Sequence, residues 1–177
     1  MKAMKIEDVM TRRVVAARAD TDLSHVARLM WDNDCGCVPV TDDQGRPLAM
    51  LTDRDVCMAT LTQGRPLGDI RVQSSMSGSL HSVGVHSSLP AAEQIMQQFQ
   101  VRRLPVVGVD GRLVGLLSMN DIAREALRER GQRQRAVTSD DVAATLASVC
   151  RPRVCLVDDN QPAQPGVRRV ARSKAAV

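Results

Sequence analysis

Aromatic residues are nearly missing from this chain of 177, which has Trp31, Phe99 and no tyrosine. A nucleic-acid platform of stacked aromatic rings is therefore excluded. The core has to be aliphatic, drawn from Val, Leu, Ile, Ala and nine Met. Long apolar runs are lacking too. The longest stretch without a charge, Val72 to Ala92, is broken by Ser, Gly and His, so it is no membrane span. The opening residues, Met1 to Met10, contain no apolar run of signal-peptide length. Five cysteines, an odd and scattered set, do not make a dense disulfide scaffold. The expectation is a soluble cytoplasmic protein. There is no Walker loop, no dinucleotide glycine fingerprint, no HExxH and no G-x-S-x-G elbow. No enzyme activity is expected, and no catalytic residue or metal ligand is assigned.

With 44% hydrophobic and 25% charged residues, the composition is that of an ordinary globular domain with some tail. Charge is uneven: 14 basic against 15 acidic residues up to Leu127, then 10 against 5 from Arg128 onward. A neutral module precedes a basic extension.

Shifting the sequence by 66 residues superposes two halves without a gap. Met10 falls on Met76, Leu23 on Leu89, Met30 on Met96, Pro39-Val40 on Pro105-Val106, Gly45-Arg46 on Gly111-Arg112 and Asp55 on Asp121. Two copies of one supersecondary unit follow. Within each, Val14 to Ala17 and Leu80 to Val85 suit a short strand. Asp22 and Ser88 suit helix N-caps ahead of an i, i+3, i+4, i+7 stripe, Leu23, Val26, Ala27 and Met30 in the first copy. A hairpin comes next, with Asp110-Gly111 marking the second turn. A second helix then starts at Asp53 and at Met119. The order is β-α-β-β-α, twice. Neither copy alone, at about 55 residues, buries much core, so the two should pack as one unit with their sheets side by side.

This order, the CVPV and RLPVV strands, and the MLTDRDV and LLSMNDI junctions resemble a tandem pair of CBS domains, often called a Bateman module. The family's junction reads Gly, two apolar residues, Thr or Ser, two variable residues, Asp. Gly115 to Asp121 match it throughout, whereas the first copy has Ala49 in place of the glycine. The resemblance implies an α+β fold of two repeats packed as one pseudo-twofold module, plus a basic C-terminal extension. The expected division is 8–66 and 74–130 for the repeats, 131–159 for a short helix and docking segment, and 160–177 for a disordered basic tail.

Thr52-x-x-Asp55 and Ser118-x-x-Asp121 admit two readings. Ser/Thr-x-x-acidic is a capping box, which needs no ligand. The same geometry suits a nucleotide: free helix N–H groups meet phosphate, and an acidic residue in the first turn accepts from a ribose diol. The family resemblance implies that these positions line two clefts for adenosine-containing ligands of the AMP, ADP or ATP type. Asp55 and Asp121 would hold ribose, with Thr52 and Ser118 on ribose or phosphate. The adenine slots would be Val14-Val15 with Val38-Pro39, and Leu80-His81 with Leu104-Pro105. Arg102 and Arg103 are phosphate candidates, or else a solvated strand edge. In the first copy Arg54, beside Asp53, is the counterpart candidate. The cleft using Ser118, Asp121, Arg102 and Arg103 is expected to bind a phosphorylated adenosine best.

The resemblance also implies a homodimer through helices 22–33 and 53–61 and their copies, with Trp31 near that edge, and a regulated protein partner. The alternative function is a structural dimerisation or partner-interaction module with unoccupied clefts. Cys35-Gly36-Cys37 reads as small core residues rather than half a metal or redox site. His25, His81 and His86 lack ligand spacing and suit surface or cleft-rim positions. Thr138 to Asp141 opens a short helix with Val142, Leu146 and Val149 at helical spacing. The basic tail reads as a solubilising end, with nucleic-acid contact as the competing use.

Overall fold

A computed structural model describes residues 4–76, 79–131 and 135–152. Repeat one contains β1 (Ala17–Arg18), α1 (Leu23–Asp32), β2 (Cys37–Thr41), β3 (Pro47–Thr52) and α2 (Asp53–Gln63). Repeat two contains β4 (Val83–Gly84), α3 (Leu89–Phe99), β5 (Arg103–Val107), β6 (Leu113–Ser118) and α4 (Met119–Arg128), and α5 (Ser139–Val149) follows. Each repeat makes a three-stranded sheet, β1-β2-β3 and β4-β5-β6, with the first pair parallel and the second antiparallel. The 66-residue offset holds down to the register. Ala17 pairs with Val40 and Val83 with Val106, and both hairpins carry an irregularity one step later, at Val40/Thr41 and Val106/Val107.

Local chemistry explains the helix starts. Asp22 Oδ1 accepts from the His25 N–H at 2.9 Å, so α1 begins where a capping side chain is available. Ser88 sits at the N-cap of α3 without a side-chain bond, and Pro90 in the first turn lacks the N–H that would need one. Leu23, Val26 and Met30 face the repeat-one core; Leu89, Ala92 and Met96 face the other.

The turns that lead into the two repeats are exchanged. Ile6 and Met10 are buried in the core of repeat two, and Ile70 and Val72 in the core of repeat one. The bonds repeat across the pseudo-dyad. Ile6 N–H donates to Ser87 O at 3.1 Å and Glu7 N–H to Val85 O at 3.2 Å; Val72 N–H donates to Thr21 O at 2.8 Å and Gln73 N–H to Ala19 O at 3.0 Å. This exchange shortens the expected first strands. Thr11 still pairs with Leu116 of repeat two, while Ala17 already pairs with Val40 of repeat one. The chain crosses between repeats over residues 12–16, so Val14 and Val15 join neither sheet, and Leu80 and His81 likewise precede β4.

Helix α5 packs against α3 and α4. Val137 and Val149 enter the repeat-two core and Val142 packs beside it. The expected stripe is rotated: Leu146 is 44% exposed, and Thr145 is the residue turned inward, at 1%.

Candidate functional site

Both junctions close into reciprocal capping boxes. Asp55 Oδ2 accepts from the Thr52 N–H at 2.9 Å and the Thr52 hydroxyl at 2.7 Å, while Thr52 Oγ1 accepts from the Asp55 N–H at 3.2 Å. In repeat two the corresponding distances are 2.8, 2.6 and 3.3 Å, between Ser118 and Asp121. The strand end is tied down as well. Asp53 N–H donates to Gly36 O at 3.1 Å and Met119 N–H to Arg102 O at 3.0 Å. With the Arg54 N–H donating to Asp53 Oδ1 at 2.7 Å, the first three N–H groups of α2 all have partners within the chain. The bare helix terminus expected to meet phosphate is therefore not present at α2.

The halves differ at the second carboxylate oxygen. Asp121 is buried, and its Oδ1 accepts from the Thr11 hydroxyl at 3.4 Å and from the Arg124 guanidinium. Met58 stands where Arg124 stands in repeat two and has no charge to offer Asp55. Among the described residues Asp55 bonds only to Thr52, and it is half-buried. The Asp121 cleft, expected to be the better one, thus has its carboxylate already engaged on both oxygens. It loses a second support at Arg102, whose Nη2 reaches Cys150 Sγ of the α5 C-terminus at 3.4 Å.

Arg103 is half-buried at the start of β5. Burial pushes the Cys37 thiol up, and the Arg103 guanidinium partly offsets that shift, so this repeat-two cation is within electrostatic range of Cys37 in repeat one. Cys37 is buried as expected, and Cys35 packs against the repeat-one core. The side chains of Val38 and Leu104 turn into the two cores. Both are fully buried among the core residues, and strand alternation leaves Pro39 and Pro105 on the opposite face. Val15 packs on the repeat-one core. His81 lies flat on Phe99, ring centroids 3.6 Å apart at 13°, a stack that the spacing of the two residues did not signal. Arg54 is exposed. Among the described residues no group of three His, Cys, Asp or Glu is placed to hold a metal ion, and no helix is long and apolar enough to cross a membrane.

A groove of about 480 Å³ lies between α1 and α2, lined by Met30, Trp31, Asp34, Gly36 and Asp53 among others. A second hollow of about 480 Å³ lies by the first hairpin turn, among Arg18, Asp42 and Arg46. Of the expected site residues only Asp53 lines either one. The sequence signal for the first groove was Trp31, a lone aromatic just past an apolar stripe.

The family model for the CBS domain matches residues 6–61 and again 67–128. The chain belongs to the CBS-domain family. This CBS pair is 38% identical over 118 residues to the CBS domain-containing protein YhcV of Bacillus subtilis, across 67% of this chain and 82% of that protein. It is 32% identical over 117 residues to Hypoxic response protein 1 of Mycobacterium tuberculosis, across 66% and 81%. The crystal structure of Hypoxic Response Protein I, with two coordinated zinc ions, matches at a TM-score of 0.62 and 30% identity, covering 68% of this chain and 98% of that one. The structure of CBSX2 in complex with AMP matches at a TM-score of 0.61 and 24% identity, covering 71% and 98%.

Proposed function

We propose that this CBS pair is a non-catalytic regulatory module that takes an adenosine-containing ligand between its repeats, on the repeat-one side. The observation that carries this reading is the difference between the two acidic residues of the junctions. Asp121 is saturated by Ser118, Thr11 and Arg124, whereas the bonds of Asp55 all go to Thr52 through one oxygen. A ribose diol would donate to the second oxygen of Asp55, and Arg103 would meet the phosphate. The AMP held by CBSX2, a protein of the same fold, supports the ligand class. Binding changes a regulated partner only if the ligand prefers one of two shapes of the module.

The competing reading is a structural or partner-interaction module with unoccupied clefts. It is favoured by the completeness of the capping boxes, which need nothing further. Titration calorimetry with AMP, ADP and ATP decides between them. Arg103→Gln, which leaves both boxes intact, should weaken binding at least about tenfold, roughly 1.4 kcal/mol. Asp55→Asn should do the same, while Arg124→Met should leave the first site unchanged. If Arg103→Gln binds like the wild type, the site is elsewhere. If no adenosine ligand gives heat or raises the melting temperature, the clefts serve structure only.

A further inference from the structure

Repeat one keeps open a groove that repeat two has closed, and two thiols line it. In repeat two, Gln97 Nε2 donates to Thr145 Oγ1 at 2.8 Å, and Gln100 Nε2 donates to Ser148 O at 3.4 Å and Arg151 O at 3.2 Å, so α5 lies over the helix pair. Sixty-six residues earlier stand Trp31 and Asp34, which line the open groove of repeat one. Cys35 and Cys57 line it as well, the first half-buried and the second exposed. Their counterparts in repeat two are Val101 and Ala123, so both positions are cysteine only where the groove is open. Free cysteine is among the most buried residue types, and an exposed Cys57 therefore calls for an account.

The backbone brings the two cysteines toward each other. Asp53 N–H donates to Gly36 O at 3.1 Å, and a Cβ on Gly36 would lie 3.1 Å from Asp53 Oδ2. The chain therefore enters β2 in contact with the first residue of α2. Cys35 directly precedes Gly36, and its own N–H donates to Met30 O at 3.0 Å, which pins it beside the end of α1. Cys57 stands one helical turn past Asp53 on the same face of α2. Helix side chains lean toward the N-terminus, so its thiol leans back toward the loop that carries Cys35. A disulfide needs Cα atoms about 6 Å apart, which is the scale of this backbone contact. Cys37, two residues from Cys35, is buried, and burial pushes its thiol up, which keeps it out of exchange chemistry.

We propose that Cys35 and Cys57 are a redox pair that closes into a disulfide across this groove by exchange with a low-molecular-weight disulfide. Cys57, exposed and reached first, attacks one sulfur of the small disulfide as its thiolate and releases the other half as a thiolate, which takes up a proton. The Cys35 thiolate then attacks Cys57 Sγ in the mixed disulfide and releases the second half, which is protonated in turn. Two protein thiols are oxidised to one disulfide while one small disulfide is reduced to two thiols. The protons lost by the cysteines are the ones the released thiolates gain. An excess of small thiol runs both steps backward. The bridge ties the first turns of α2 to the loop between α1 and β2, and it is independent of whether the inter-repeat cleft binds a ligand.

Oxidised glutathione added to the native full chain, followed by a non-reducing peptide map, tests this. The wild type should give a chain lighter by two hydrogen atoms, with Cys35 joined to Cys57, Cys37 still a thiol, and the bridge lost on adding dithiothreitol. The bridged chain should melt above the reduced one, because the cross-link restricts the unfolded state. Cys35→Ala should stop at a stable glutathione adduct on Cys57. Cys57→Ser should leave Cys35 at least about tenfold slower to react than Cys57 in the wild type, as its partial burial requires. Cys150→Ser, at the other exposed thiol among the described residues, should leave the bridge unchanged. A wild type that keeps the glutathione adduct on Cys57 overturns the proposal, because Cys35 then does not resolve it. A Cys57 that pairs instead with Cys150, with Cys155 or with another chain overturns it too, as does a chain whose groove thiols both stay reduced.

Discussion

Gly115 and Ala49 hold the same place in the two repeats, and their surroundings explain the difference. A Cβ on Gly115 would lie 2.5 Å from Met10 Sδ and 2.9 Å from Thr11 O. The thioether can swing aside, but the Thr11 carbonyl cannot. It accepts from the Leu116 N–H at 2.9 Å, and the Thr11 N–H donates to Leu116 O at the same distance. The glycine is the price of running the exchanged N-terminal segment along the edge of β6. Gly115→Ala should therefore cost about 1–3 kcal/mol through overpacking. Ala49→Gly, which only removes a methyl from the repeat-one core, should cost about 0.5–1 kcal/mol. Thermal melts of the two variants check this, and equal losses would contradict the steric account. The same scale separates the acidic residues of the junctions. Sequence shows two equivalent Asp residues, and what distinguishes them is a neighbour three positions on, Arg124 in one case and Met58 in the other.

Among the elements, α5 is held in part by a polar chain, Gln97 to Thr145 to Glu93, that contains a titratable group. Burial raises the carboxyl pKa of Glu93. The bond from Thr145 opposes the shift, and the nearby Asp141 carboxylate adds to it. An acid whose pKa is higher folded than unfolded contributes most below its unfolded value, and the contribution is lost as pH rises through the folded value. Denaturation midpoints measured from acid to neutral pH should show this loss, and Glu93→Gln should flatten it while raising the midpoint at neutral pH. A variant that is weaker by the same amount at every pH would mean that the ionised carboxylate is what holds α5. The helix itself was legible, because Thr138 and Asp141 make a capping box with 2.7 and 3.2 Å bonds. Its orientation was not, since a spacing of Val142, Leu146 and Val149 does not reveal that a threonine between them will find a glutamine and a buried acid. Hairpins and junctions were legible for a stronger reason: two copies in one register confirm each other. The clefts were legible only as positions. Which side chains turn into the core, as Val38 and Leu104 do, depends on a strand face that both readings share.

At the scale of the molecule, the exchange of leading turns makes the repeats inseparable. Nothing in the local sequence says which core Ile6 will enter, because Ile6 and Val72 are alike in both chemistry and repeat position. The outcome is set by reach. The chain between Met10 and Ala17 is long enough to cross from one sheet to the other, and each crossing buries an apolar residue that the receiving repeat lacks. The hairpins also meet directly, Leu113 N–H donating to Gly45 O at 2.9 Å. The mirrored bond cannot form, because its donor would be Pro47. Two repeats that each carry part of the other's core should unfold together. Ile6→Ala removes a fully buried side chain from the repeat-two core, a loss of about 2–5 kcal/mol. If the exchange couples the repeats, the fluorescence of Trp31, which sits on repeat one far from that change in sequence, should shift its unfolding midpoint by as much as far-ultraviolet circular dichroism does. Val72→Ala, the reciprocal lesion, should move both probes in the same way. If Trp31 keeps its wild-type midpoint in Ile6→Ala while the dichroism shows an earlier transition, the repeats are separate folding units and the exchanged turns are only surface straps.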